Sequence, residues 1–165
     1  MEYKAAVLTV SDKGFVGQRE DLSGAELEKL LGEAGFFVTG RFIVPDERSL
    51  IADKLREMCD IECVDLILTT GGTGFSPRDV TPEATLDVIQ RAVPGIPEAM
   101  RLKSLGITKM AMLSRAAAGI RDKTLIINMP GSLKAVRECF DVIRPVLPHG
   151  MEILTGRGGE CGAGG

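Results

Sequence analysis

Three apolar runs of strand length recur with helical patterns between them, and this alternation restricts the chain more than any other feature. Lys4 to Val10 (KAAVLTV) is apolar and β-branched and stops at Ser11-Asp12-Lys13-Gly14. After a polar loop, Ser23-Gly24-Ala25-Glu26 reads as a capping box, and Ala25, Leu27, Leu30, Leu31 and Ala34 repeat at helical spacing as far as Gly35. Phe36 to Val44 is a second strand, closed by Pro45-Asp46; Leu50, Ile51, Leu55 and Met58 then trace a second amphipathic helix. Asp65 to Thr70 is the third strand. This order suits a largely parallel sheet covered on both faces, so the expected fold is α/β, a three-layer α/β/α sandwich with a mostly parallel central sheet.

The second half is read more coarsely. Thr81 as N-cap with Pro82 at the first helical position predicts a helix over Glu83 to Arg91. Pro94-Gly95-Ile96-Pro97 interrupts, and a short helix runs through Met100 to Leu105. Lys109 to Leu113 reads as a strand and Thr124 to Met129 (TLIINM) as a stronger one, ended by Pro130-Gly131-Ser132. Ser132 caps a helix from Leu133 to Ile143, and Pro148 to Leu154 adds a helical turn or two. At 165 residues this is one domain, taken as 1–154, followed by a flexible glycine-rich tail over 155–165.

The third strand leads into Thr70-Gly71-Gly72-Thr73-Gly74 and then Phe75-Ser76-Pro77-Arg78-Asp79. Three glycines in four positions let backbone N–H groups converge where a Cβ would intrude, and Thr70 and Thr73 add hydroxyls, a nest suited to phosphate. The spacing is neither GxGxxG nor a P-loop. In a parallel sheet, ligands collect beyond the carboxyl ends of the strands. Ser11-Asp12, Asp46, the Gly71 to Asp79 loop and Pro130-Gly131-Ser132 each follow a strand, so all are expected on one rim. Two carboxylates, Asp46 and Asp79, beside a phosphate nest call for a cation such as magnesium. Taken singly, Asp46 also suits a helix cap, Asp79 an ordered turn, and Arg78 and Arg115 solvated positions. Only their coincidence at one rim favours chemistry.

From Thr70 to Thr85 (TGGTGFSPRDVTPEAT) the sequence resembles the signature of the Mog/MoaB family of molybdenum-cofactor biosynthesis proteins, the molybdopterin adenylyltransferases. The likeness continues through Thr9-Val10-Ser11-Asp12, Val44-Pro45-Asp46-Glu47, Met112-Leu113-Ser114-Arg115 and Thr124 to Ser132. It implies a molybdopterin-binding-like fold and transfer of AMP from magnesium ATP to the terminal phosphate of molybdopterin, with release of pyrophosphate. By this likeness Asp46 and Asp79 are the catalytic and metal-holding carboxylates. Ser11, Asp12, Thr70, Gly71, Gly72, Thr73 and Gly74 hold the nucleotide; Ser114, Arg115, Asn128, Pro130, Gly131 and Ser132 shape the pterin pocket. A homotrimer is also implied. Two other readings stay open here, a metal-insertion relative and a non-catalytic molybdopterin carrier or scaffold.

Composition narrows the partners. A net charge of −3 without a long basic run argues against nucleic acid. The apolar runs are strand-sized and no leader precedes Tyr3, so neither a membrane span nor a signal peptide is expected and the protein is placed in the cytoplasm. Cys59, Cys63, Cys139 and Cys161 show no disulfide framework or zinc set, and His149, the single histidine, is read as a surface or capping residue.

Overall fold

A computed structural model describes residues 2–157. The elements run β1 (Lys4–Val10), α1 (Asp12–Phe15), α2 (Leu22–Glu33), β2 (Phe37–Val44), α3 (Arg48–Asp60), β3 (Leu66–Thr70), α4 (Thr81–Leu86), β4 (Arg91–Ala92), α5 (Gly95–Leu105), a 3-10 turn (Lys109–Leu113), β5 (Ala118–Arg121), β6 (Thr124–Met129), α6 (Leu133–Ile143) and α7 (Leu147–Thr155). The described strands form one sheet in the order β2-β1-β3-β6-β5-β4. Its first four strands are parallel; β5 and β4 join antiparallel at one edge.

Strand alternation sorts the core into two halves. Ala5 and Val7 of β1 face a cluster with Leu27 and Leu31 of α2 and Phe140 of α6, while Ala6, Leu8 and Val10 face Ile51, Leu55 and Met58 of α3. The central strands are buried on both faces, as continuous apolar runs such as Leu66-Ile67-Leu68 require. Each aliphatic side chain withdrawn this fully contributes about 1.5–3 kcal/mol. The three-layer α/β/α sandwich expected from the sequence is therefore the observed one. No helix among the described residues is long and apolar enough to cross a membrane.

Four local expectations change. The cap of α2 is Asp21, whose Oδ1 accepts from the Gly24 N–H at 2.9 Å; Ser23 lies inside the first turn and donates its hydroxyl to the Gly131 carbonyl at 2.7 Å. Helix α4 starts with Thr81 itself, after Val80, and stops at Leu86. The chain then straightens because Gln90 and Val93 donate their N–H groups to the Ile120 and Ala118 carbonyls, at 2.8 and 2.9 Å, recruiting β4 to the sheet. Lys109 to Leu113 is not a strand: Met110, Met112 and Leu113 stand exposed, and the sheet position goes to β5, which the sequence reading missed. A tight hairpin joins β5 to β6, with Asp122 at φ 49°. Finally, α7 includes Thr155, and Arg157 forks onto the buried Asp65 carboxylate at 2.8 and 2.9 Å, so ordered structure extends past 154. The rest of the glycine-rich stretch, with Cys161, lies outside the described residues.

Candidate active site

The rim is assembled by topology. The chain leaving β1 crosses to β2 on one side and the chain leaving β3 passes to the β6 side, so the connections diverge between β1 and β3 and open a crevice there. Ser11 caps α1, its Oγ accepting from the Gly14 N–H at 3.0 Å, while its own N–H donates to the Val44 carbonyl of β2 at 3.0 Å. Asp12 and Asp46 lock the first two loops reciprocally. The Asp12 N–H donates to Asp46 Oδ2 at 2.8 Å and the Asp46 N–H to Asp12 Oδ1 at 2.9 Å.

The glycine loop fills the crevice floor. Gly71 and Gly72 both take left-handed backbone, φ 97° and 69°. A Cβ on Gly71 would stand 2.4 Å from the Val10 carbonyl, and one on Gly72 would meet Thr81 Oγ1 at 2.3 Å. Thr81 takes both loop carbonyls, its hydroxyl donating to Gly71 at 2.9 Å and its N–H to Gly72 at 3.1 Å. Among the described residues no acceptor takes the N–H groups of Gly72, Thr73 or Gly74, which leaves them to a ligand. Thr70 lines the crevice with Gly71 and Gly72, and its hydroxyl donates to the Pro130 carbonyl at 2.7 Å, tying β3 to the loop after β6.

Asp46 and Asp79 come to the same pocket, a cavity of about 580 Å³ lined largely by polar and charged residues, whose wall also includes Ser11, Gly71, Gly72 and Ser132. Burial pushes the Asp46 carboxyl above the usual aspartate range, and the charges of Asp12 and Asp79 push the same way. Asp12 itself is held low by the Arg78 guanidinium, which forks onto it at 2.9 Å and reaches Glu47 at 3.0 Å. Arg78 is therefore clamped at the rim by ion pairs while its side chain stays half exposed. Asp79 is oriented by the Ser76 N–H, which donates to its Oδ2 at 3.0 Å; a Cβ on Gly74 would come within 2.9 Å of the same oxygen. Arg19 and Ser23 also line this cavity. The sequence reading assigned neither to the site: Arg19 stands in no motif, Ser23 was read as a helix cap, and only the fold of the 12–24 stretch carries them there.

The other predicted residues divide between two places. Ser114, Asn128 and Pro130 line a second cavity of about 290 Å³, mostly apolar, which also touches Thr73 and Gly74. Gly131 and Ser132 belong to the first cavity, and Ser132 Oγ caps α6 by accepting from the Ala135 N–H at 3.3 Å. Arg115 lies behind the glycine loop: its guanidinium donates to the carbonyls of Gly74 at 2.7 Å and Asp79 at 2.6 Å and pairs with Glu83. Asn128 is wholly buried, donating to the hydroxyls of Thr69 at 3.0 Å and Thr85 at 2.9 Å and accepting from the Ala117 N–H at 3.1 Å. Both side chains thus spend their hydrogen bonds inside the protein, which makes them supports of the pocket walls. The loop from Thr70 to Gly74 is a partition with one cavity on each side.

The family model of a probable molybdopterin binding domain matches residues 6–149. The chain belongs to that family. Among relatives of this molybdopterin-binding domain, a Helicobacter pylori protein named molybdopterin adenylyltransferase is 45% identical over 155 residues, covering 91% of this chain and 86% of its own. The Drosophila melanogaster molybdenum cofactor synthesis protein cinnamon is 47% identical over 150 residues, 90% of this chain but 25% of its own length. The crystal structure of the molybdopterin biosynthesis enzyme MoaB from Thermus thermophilus superposes with a TM-score of 0.88 at 49% identity, covering 93% of this chain and 97% of that one.

Among the described residues of this molybdopterin-binding domain, no three His, Cys, Asp or Glu side chains gather into a metal cage. Magnesium does not require one, because it is commonly held by one or two carboxylates together with substrate phosphates and water. Asp46 Oδ1 and Asp79 Oδ1 accept no hydrogen bond from the described residues, and the Asp46 carboxyl is raised by burial first and then by the charges of Asp12 and Asp79, which a cation would offset. The donor set fits a magnesium-bound triphosphate.

Proposed function

We propose that the protein is a molybdopterin adenylyltransferase, moving AMP from ATP to the terminal phosphate of molybdopterin. The observation that carries this is the partition: the glycine loop lines two cavities, its Gly71 end one walled largely by polar and charged residues with Asp46 and Asp79, its Gly74 end a mostly apolar one. A transfer between a triphosphate and a phosphorylated pterin needs this arrangement, with the reacting phosphates brought together at the wall. The names of relatives at 37–45% identity support the same activity.

In the reaction an ionised phosphate oxygen of molybdopterin attacks the α-phosphorus of ATP. One P–O bond forms and the bond to the pyrophosphate oxygen breaks, so no proton need be removed. His149, exposed on α7, is not required. The unpaired N–H groups of Gly72, Thr73 and Gly74 receive phosphate oxygens in fixed directions. Asp46 and Asp79 would hold magnesium, which when bound neutralises charge on the nucleotide phosphates. Ser11 and Asp12 stand at the nucleotide side.

The three described cysteines are free thiols, in keeping with the reducing cytoplasm, where we place the protein; the family likeness supports a homotrimer, which light scattering would test. The activity test is incubation with molybdopterin, ATP and magnesium. Adenylated pterin and pyrophosphate in equal amounts are expected. Pterin binding without AMP transfer would replace this reading with that of a carrier.

A further inference from the structure

The apolar cavity contains a carboxylate that nothing above employs. Glu138 on α6 lines it, together with Met100 and Arg101 of α5, Leu113 and Ser114. Within the helix Glu138 would pass for half of a surface pair with Lys134 one turn earlier. The pair is loose: their charged atoms are 3.7 Å apart, within ion-pair range but beyond hydrogen-bond reach, and Lys134 is 79% exposed while Glu138 is only 27% exposed. Among the described residues no N–H or O–H donates to the Glu138 carboxylate, and it stands at the wall of a largely apolar cavity. Arg101 contributes the complementary charge. One guanidinium nitrogen is tied to the carbonyls of Ser114 at 3.4 Å and Ala116 at 3.0 Å, and the remaining N–H groups have no protein acceptor among the described residues.

A carboxylate and a guanidinium in an apolar slot match one kind of flat heterocycle. An aminopyrimidinone ring presents a ring N–H and an exocyclic amino group side by side, which a carboxylate accepts as a pair, and beside them a carbonyl that a guanidinium donates to. We propose that Glu138 is a specificity-determining residue that reads the amino and N–H edge of the pterin, with Arg101 at its ring carbonyl. This orients the pterin so that its phosphate-bearing arm points toward Thr73 and Gly74 at the partition. The inference rests on the molybdopterin reading of this site, and it assigns the part of that substrate that the cavity selects.

The probe pair is pterin and lumazine, which differ in that lumazine carries a second carbonyl where pterin has its amino group. A carboxylate facing that position attracts the amino group and repels the carbonyl. Titration of the full chain, followed by ligand fluorescence, is expected to show tighter binding of pterin by about tenfold or more. In Glu138→Gln the preference is expected to collapse to within about threefold, with ATP affinity and melting temperature unchanged. A variant that merely disturbed the fold would weaken both ligands alike. Wild-type protein that binds the two equally overturns the proposal without any variant, and so does a Glu138→Gln protein that keeps the wild-type preference. Failure of the adenylyl transfer assay with pterin selectivity intact would instead count against the proposed reaction.

Discussion

Arg115→Lys tests whether the catalytic loop is held from behind. The arginine fork joins three acceptors that lie in different directions, the carbonyls of Gly74 and Asp79 and the carboxylate of Glu83. A lysine ammonium keeps the charge but, as a single point donor in place of a fork, reaches one of these divergent acceptors, so two charged hydrogen bonds are lost. Such bonds are worth about 1.5–3 kcal/mol each when buried. The Arg115 side chain is 33% exposed, so water replaces part of each and the lower end applies. Glu83 adds to the cost: its Oε2 is buried without a partner, and burial alone would raise its carboxyl were the Arg115 pair not holding it down. The expected loss is about 2–3 kcal/mol. With no tryptophan and a single tyrosine, urea unfolding is best followed by far-UV circular dichroism. Because Asp79 rides on the same loop, turnover of the folded variant should fall further than pterin affinity does. A variant within about 0.5 kcal/mol of wild type with unaltered turnover would refute the idea that Arg115 holds the loop.

Asp79→Asn should abolish most AMP transfer while leaving pterin affinity intact, since it removes charge on the polar side of the partition only; a variant with wild-type turnover would displace Asp79 from the chemistry. Gly71→Ala forces a side chain into left-handed backbone and against the Val10 carbonyl, so urea unfolding should register a loss of about 2 kcal/mol or more. Gly131→Ala, whose Cβ would meet only the Gly71 backbone, at 3.4 Å from its Cα, and whose φ is not positive, should cost less than about 1 kcal/mol in the same assay. The raised Asp46 carboxyl sets a pH dependence. A cation needs it ionised, so magnesium-nucleotide affinity should be lost on acidification at a higher pH than an ordinary aspartate would give. Because the folded state takes up this proton more readily than the unfolded chain, ionising Asp46 costs stability as pH rises through its folded value. Asp46→Asn should therefore melt no lower than wild type at neutral pH, which calorimetry would check.

The Arg78 and Arg115 guanidinia illustrate the limit of a linear reading. Both stand in motifs, yet one clamps Asp12 and Glu47 at the rim and the other anchors a loop from behind. Their roles depend on which loops meet, and that follows from strand order. The same holds for Asn128, which lines the apolar cavity as expected yet spends its hydrogen bonds as a buried link among Thr69, Thr85 and Ala117. Strand β5 escaped notice because four residues of mixed character carry no period, and only pairing with β6 makes them a strand.

What the linear order of residues determined was local and periodic. Apolar runs of strand length, helical repeats between them and the glycines after Thr70 suffice for a parallel α/β sheet with a phosphate-accepting loop at its carboxyl edge, because backbone preference and side-chain period act over a few residues. Tertiary structure alone decided that the glycine loop divides two cavities, that Asp46 and Asp79 share one of them, and that Glu138 looks into the other. Those relations join residues tens of positions apart, and only the placing of β1 between β2 and β3 brings their loops into contact.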